Sequence, residues 1–419
     1  MKYKNALRAI SFVIVFCILF LCCEKLFFNK NDVNSVWGKL DNTDIDILIM
    51  GNSHAYTSLN AKALSDAIGL EVDLLGSSSQ YMEQTLENLK VVLQYQTPKY
   101  IVLETNCSYG DRKESMRGEF MGMMLQNSDG IKNYWYKLQS VVRTYKLTDV
   151  FTGMFQLVRP VDMWTRWSRF PDKDNYIADA NGFRGTTTTA VVERSMQDVQ
   201  DEYMQIYEAG KRTPLTDYNE RALREFLQLA QDNGIEVWMY KGPTTRAEYA
   251  RHALEIEDVC RNYSNVTYID DMHAVIAEIG LGQSDWYDTG HVNRAGAGKV
   301  TRYYGELIAE RLGVDLDWNA SYEYCGERIK QTEAGTYQYT MENYSEECLY
   351  QFKLYVDGQL QEVQDYSTNN VYECAYDART SESCTVYCSM IPTGDAELGD
   401  GSESRIYTAF MKQNDCVIE

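Results

Sequence analysis

"DILIMGNSHAYTSLN", residues 46–60, decides how this chain is read. Apolar β-formers run from Ile47 to Met50 and stop at Gly51, and Ser53 follows with His54 beside it. A short apolar run closed by a turn residue reads as a strand buried on both faces, as in a parallel sheet. A helix is expected next, over residues 59–67, with Ser58 or Asn60 as its cap. Ser53 would then be held rigidly at a sheet edge, near a positive helix end.

The same alternation continues outward. "LEVDLL" (70–75) reads as a second strand, and "MEQTLENLKVVLQY" (82–95) sets Met82, Leu86, Leu89 and Leu93 at helical spacing. Pro98 ends that helix before a third strand, "KYIVLE" (99–104). After a long interval come the helix "NERALREFLQLAQDNG" with Gly234 past its end, strand "IEVWMY" (235–240), a helix over 246–262 and strand "VTYID" (266–270). A last helix, "AGAGKVTRYYGELIAERLG", ends at Gly313. Five short strands separated by helices indicate a three-layer α/β/α domain with a mostly parallel sheet. Such sheets bind ligands outside the carboxyl ends of their strands, the edge that carries Ser53, Gly76 and Asn106.

If Ser53 is a nucleophile, it needs a base, a group orienting that base, and donors for an oxyanion. Of the four histidines, His54 is a poor base because adjacent side chains in a turn diverge, and His252 and His273 lie in expected helices without a motif. His291 stands apart: in "DWYDTGHVNRAGAGKV" Asp288 precedes it by three residues, just ahead of the last helix. One short turn then presents both side chains together, so Asp288 fixes the imidazole tautomer while the other nitrogen faces Ser53. Asn293 and Gly296 shape the turn into that helix. Lys241, Gly242 and Pro243, at the end of the fourth strand, and His54 are candidates to line the pocket; a structural place for His54 beneath the turn fits equally well.

"GNSHAYTSLN", "LLGSSSQ", "LETN" and "DTGHVNRAGA" resemble the first, second, third and fifth sequence blocks of the SGNH (GDSL-type) hydrolase superfamily. The likeness is greatest to its membrane-anchored bacterial branch, which is similar to polysaccharide O-acetyl esterases and O-acetyltransferases. It spans residues 44–312 and leaves out the C-terminal part. The resemblance implies catalytic residues Ser53, His291 and Asp288, and an oxyanion hole of the Ser53 and Gly76 amides with the Asn106 side chain. "LETNCSYGD", which holds Asn106, departs from the family's G-x-N-D. An α/β-hydrolase elbow fits less well, since there the serine lies mid-domain and the acid and histidine are apart.

The chain ends frame this domain. Lys2, Lys4 and Arg8 precede the apolar run Ala9–Cys23, and the stretch to Phe28 is long enough for a helix that spans a bilayer, with the remainder outside. A cleaved signal peptide is the alternative, though no small-x-small site is present. Beyond residue 318, "YQFKLYVDGQLQEV" puts Tyr350, Phe352, Leu354 and Val356 on one face, and Asp357-Gly358 makes a hairpin turn. This reads as an all-β module that serves as a glycan binder, spacer or packing partner. Its six cysteines (Cys325, Cys348, Cys374, Cys384, Cys388, Cys416) could form disulfides in an external segment. No CxxC pair occurs, so a zinc site is not expected. Residues 107–217, with "NYWYKLQ" and "MWTRWSRF", read as an insertion over the active edge, either a lid or a small core of its own.

The expected architecture is therefore a leader and transmembrane signal anchor (1–30), an SGNH hydrolase-like α/β domain (40–316, with the 107–217 insertion) and a β-sandwich-like module (320–419). Its net charge of −21 argues against a nucleic-acid partner. The expected activity is hydrolysis or transfer of acetyl groups on envelope or exopolysaccharide glycans, or on an acylated small molecule. It requires no cofactor and no metal; a transferase would add a membrane acyl-donor protein as partner. Two other classes remain: an envelope scaffold that retains the fold without chemistry, and a glycan-binding protein working through the β module.

Overall fold

The computed structural model describes residues 2–26, 36–109, 135, 139, 142, 177–178, 181–186, 192–269, 276, 278–378, 384–393 and 405–410. Five parallel strands form the central sheet: β1 (Ile47–Gly51), β2 (Val72–Gly76), β3 (Tyr100–Glu104), β6 (Glu236–Tyr240) and β7 (Val266–Ile269), in the order β2-β1-β3-β6-β7. Strand neighbours alternate between two cores. Ile47, Ile49, Val102, Trp238 and Tyr240 face one; Leu48, Met50, Ile101, Leu103, Val237 and Met239 face the other. That alternation explains the unbroken apolar run of β1: every one of its side chains has a layer of protein to enter.

On the first face lie α4 (Ala61–Ile68), α6 (Met196–Glu208) and α9 (Arg294–Leu312). The short α2 (Val36–Lys39), α5 (Met82–Val92) and α7 (Asp217–Asp232) cover the second, and α8 (Ala250–Cys260) adds residues to both. Asn60 caps α4, its side chain accepting from the Ala63 amide at 3.1 Å, as one of the two expected caps. Ahead of it, a separate short helix α3 (Ser53–Ser58) was not expected; it starts at the serine itself.

The strand order reverses between β1 and β3, so the chain leaves their carboxyl ends in opposite directions and opens a crevice there. Gly51 ends β1 at φ +155°, and a side chain on it would press within 2.9 Å of the Glu104 Cβ and 3.0 Å of the Ala55 Cβ. Glycine is therefore required where the chain turns from strand to α3.

Most of the 107–217 stretch, including nearly all of "NYWYKLQ" and "MWTRWSRF", lies outside the described residues. Phe183 and the residues from Val192 to Ile206 that are buried join the α/β core. The two-residue strands β4 (Ile177–Ala178) and β5 (Arg184–Gly185) pair with each other, and Phe183, Val199 and Tyr203 are fully buried with the first face. Asn181 latches onto β2, accepting from the Leu74 amide at 2.8 Å and donating to the Val72 carbonyl at 2.7 Å.

Beyond α9 the chain forms two antiparallel sheets. One has the order β12 (Val371–Cys374), β9 (Tyr337–Asn343), β8 (Tyr324–Gln331); the other has β11 (Gln359–Ser367), β10 (Cys348–Val356), β13 (Cys384–Pro392), β14 (Arg405–Phe410). Tyr339 and Met341 of the first share a core with Phe352, Leu354, Val386 and Cys388 of the second. Asp357 and Gly358 both take positive φ, 50° and 74°, in the two-residue turn between β10 and β11. This module docks on α9: Arg302 donates to the Tyr344 carbonyl at 2.6 Å, and Arg294 lies 4.2 Å over the Tyr324 ring.

Two expectations are corrected. Among the described residues the module's cysteines do not pair: Cys325, Cys348, Cys374, Cys384 and Cys388 are all free and buried, acting as small apolar core residues, while Cys416 lies outside the described residues. The transmembrane span at 1–30 is not supported, for among the described residues no helix is long and apolar enough to cross a membrane. Helix α1 (Lys2–Leu26) does leave Leu7, Ile10, Phe12, Phe16 and Leu19 exposed. The side chains of residues 21 and 24–26, at its end, lie outside the described set.

Candidate active site

Ser53 opens α3 directly after the end of β1. Asn52 caps that helix, its side chain accepting from the His54 amide at 3.0 Å, which locks the turn around the serine. Across the crevice, residues 287–291 fold back on themselves: the Tyr287 amide donates to the His291 carbonyl at 2.8 Å, just beyond a bridge between Trp286 and Val292. Asn293 then caps α9, accepting from the Gly296 amide at 3.0 Å. A side chain at Gly296 would collide with the Asp285 carbonyl, so the loop and helix lie in direct contact. The loop is also tied to the segment after β6, through hydrogen bonds from the Thr245 amide and hydroxyl to the Thr289 carbonyl.

These supports bring three side chains into line. Ser53 Oγ lies 2.7 Å from His291 Nε2, and His291 Nδ1 lies 2.9 Å and 3.0 Å from the two oxygens of Asp288. An ionised carboxylate only accepts, so the ring proton sits on Nδ1 and Nε2 is left to accept from the serine hydroxyl. Burial opposes ionisation of Asp288. Donation from the His291 ring and from the Gly290 and His291 amides outweighs it, and the carboxyl falls to about 2. The aspartate is thus an anion above that value.

His54 is 5% exposed, and its ring centroid lies 4.5 Å from that of His291. Burial first, then the charges of Lys241, His291 and Arg246, push its imidazole well below the ordinary range. His54 is therefore a neutral ring packed on the base, rather than a pocket wall. Lys241 is also corrected. It is fully buried, 3.2 Å from Glu104 Oε1, and sits beneath the site instead of lining it. Gly76 ends β2 in register with Gly51, and a side chain there would come within 3.0 Å of the Gly51 carbonyl.

Asn106 stands in a 3₁₀ turn (Thr105–Ser108) that continues β3. It lines a cavity of about 200 Å³ together with Asn52, Ser79, Gln80, Tyr81, Tyr109 and Tyr249. Its side-chain Oδ1 is buried without a hydrogen-bond partner. The cavity begins one residue from Ser53, at Asn52, and no charged side chain lines it. Sequence reasoning named Asn106 but missed the three tyrosines and Glu104. An acid closing an apolar strand, as in "YIVLE", was the available signal for the latter. His252 lies in α8, its ring 4.6 Å from that of Tyr109, and His273 lies outside the described residues.

No family model matches the chain, and no curated protein matches it. Among solved structures, one from Streptococcus pneumonia provisionally identified as a platelet activating factor is similar over 71% of this chain and 98% of its own. The two are 10% identical with a TM-score of 0.32, a likeness that supports no assignment of activity.

Proposed function

We propose that the chain is a serine acyl-esterase or O-acetyltransferase of the SGNH type, working on acetyl groups of cell-envelope or exopolysaccharide glycans. The observation that carries this reading is the hydrogen-bonded series Ser53–His291–Asp288, whose spacing suits general-base catalysis. His291 Nε2 takes the Ser53 proton as Oγ attacks the acyl carbonyl carbon. The oxyanion receives hydrogen bonds from the Ser53 and Gly76 amides and the Asn106 side chain. Collapse breaks the ester bond, and His291 returns the proton to the departing sugar oxygen. Water or a second sugar hydroxyl then attacks the acyl-serine, giving its proton to His291, which restores Ser53.

The cavity favours a neutral polyhydroxylated substrate. Its lining joins Tyr81, Tyr109 and Tyr249 with the amide residues Asn52, Gln80 and Asn106 and the Ser79 hydroxyl. Placement outside the cytoplasm belongs to the same proposal, since envelope and exopolysaccharide glycans are found there. For a transferase, so does a membrane acyl-donor protein.

The test is fluorophosphonate labelling of the full chain beside Ser53→Ala and His291→Ala, with the labelled peptide identified by mass spectrometry. Labelling at Ser53 that both substitutions abolish is the expected result. Equal labelling of all three proteins would remove the catalytic assignment.

A further inference from the structure

The mechanism leaves one buried ionic group without a task. Glu104 ends β3 and Lys241 follows β6, the neighbouring strand; both side chains are 0% exposed. Each oxygen of the Glu104 carboxylate is committed. Oε1 accepts from Lys241 Nζ at 3.2 Å and from the Gly242 amide at 3.2 Å, and Oε2 accepts from the Asn106 amide at 2.9 Å. Lys241 Nζ also donates to the Gly242 carbonyl at 3.1 Å and lies 5.7 Å and 5.3 Å over the rings of Tyr109 and Tyr249, two walls of the cavity. On the nucleophile's side, Gly51 packs against the Glu104 Cβ, with no room for a side chain between them.

Stability alone does not account for such a pair, because apolar residues of similar volume are often as stable or more so. Position does account for it. One carboxylate joins the end of β1, the Asn106 turn and the chain after β6, which are the parts that must hold still around a reacting acyl group. We propose that Glu104, clamped by Lys241, is the positioning residue of the acyl cavity: it fixes the Asn106 backbone, and with it the side-chain amide, relative to Ser53. This inference rests on the reading of Ser53 as nucleophile and Asn106 as oxyanion donor. It acts on the transition state more than on substrate affinity, so kcat carries the effect and KM does not.

The test compares three proteins in acetyl-ester hydrolysis and in fluorophosphonate labelling. Glu104→Leu/Lys241→Met removes both charges and every acceptor; it is expected to fold and to lose about a hundredfold in kcat with KM little changed. Glu104→Gln alone must turn its oxygen toward Lys241 and its NH₂ against the Asn106 amide, so it is expected to be similarly impaired. Glu104→Gln/Lys241→Met leaves one oxygen to be shared between the Asn106 and Gly242 amides, so it is expected to recover part of kcat. In an Asn106→Ala background the first double substitution is expected to cost no more than about twofold further, because residues acting through one group are not additive.

A folded Glu104→Leu/Lys241→Met protein with wild-type kcat would overturn the proposal, as would full additivity with Asn106→Ala. Should that protein fail to fold, the recovery from Glu104→Gln to Glu104→Gln/Lys241→Met decides, and its absence overturns the proposal. Wild-type protein that is not labelled at Ser53 would instead sink the functional reading itself.

Discussion

Ser53 Oγ lies 2.7 Å from His291 Nε2, although 238 positions separate the two residues. The closure has a structural cause. Ser53 begins α3 at the carboxyl end of β1, His291 stands just before α9, and α9 is bound to the segment after α3: the Asn60 amide donates to Thr301 Oγ1 at 2.9 Å. Serine and histidine are thus delivered by two elements that share one packed face.

Asp288→Asn should lower kcat by about 10³–10⁴ with a much smaller change in KM. An asparagine NH₂ in contact with Nδ1 favours the tautomer with its proton on Nε2, facing Ser53, so the base is blocked while the geometry persists. Steady-state hydrolysis of an acetyl ester checks this; a loss below tenfold would count against the tautomer argument.

The acid limb of stability should contain an Asp288 contribution. Its folded value, about 2, lies below its ordinary value of 3.8. The group is charged in both states above its unfolded value, so its contribution is fully present there. The contribution declines as pH falls toward about 2, where the folded form also protonates. Melting temperature measured from pH 5 to pH 2 should therefore fall less steeply for Asp288→Asn than for wild type (roughly the window between the two values). Parallel curves would contradict it.

Lys241→Met should destabilise the fold by about 3–5 kcal/mol, because it strands the Glu104 carboxylate in a site with no solvent. Urea unfolding reads the loss. Adding Glu104→Leu should restore part of that stability, the Asn106 and Gly242 amides being left without an acceptor, while leaving activity low, which separates what holds the fold from what positions the cavity.

Gly51→Ala should cost about 1–3 kcal/mol for a side chain at φ +155°, with more from the contact with Glu104 and Ala55. Its labelling rate at Ser53 should fall as well, since the strained turn is the one that carries the nucleophile. Denaturation midpoints together with fluorophosphonate kinetics test both statements.

Asn293→Ala removes the cap of α9, including donation to the Ser284 carbonyl at 2.8 Å. About 1 kcal/mol of stability should be lost. The His291 loop is anchored by the same residue, so kcat should drop several-fold; circular dichroism melting and ester hydrolysis would show whether the two losses occur together.

What the sequence determined by itself was local. The buried run Ile47–Met50 with its glycine stop, the helical spacing of Met82, Leu86 and Leu89, and the hairpin at Asp357-Gly358 each depend on neighbours a few residues away. So does Asp288 three positions before His291, where one turn suffices to join acid and base. The strands of the parallel sheet were legible for that reason, and so was the serine at its edge. The tertiary structure decided everything that depends on strand order. His54, set aside because it adjoins Ser53, lies with its ring 4.5 Å from that of His291. Lys241, expected in a pocket wall, is drawn beneath the site by Glu104, an acid that looked like an ordinary strand end. Cys348, Cys374, Cys384 and Cys388 of the β module became core residues because two sheets closed over them. Burial and long-range hydrogen bonds are properties of neighbours in space, and the order β2-β1-β3-β6-β7 chooses those neighbours.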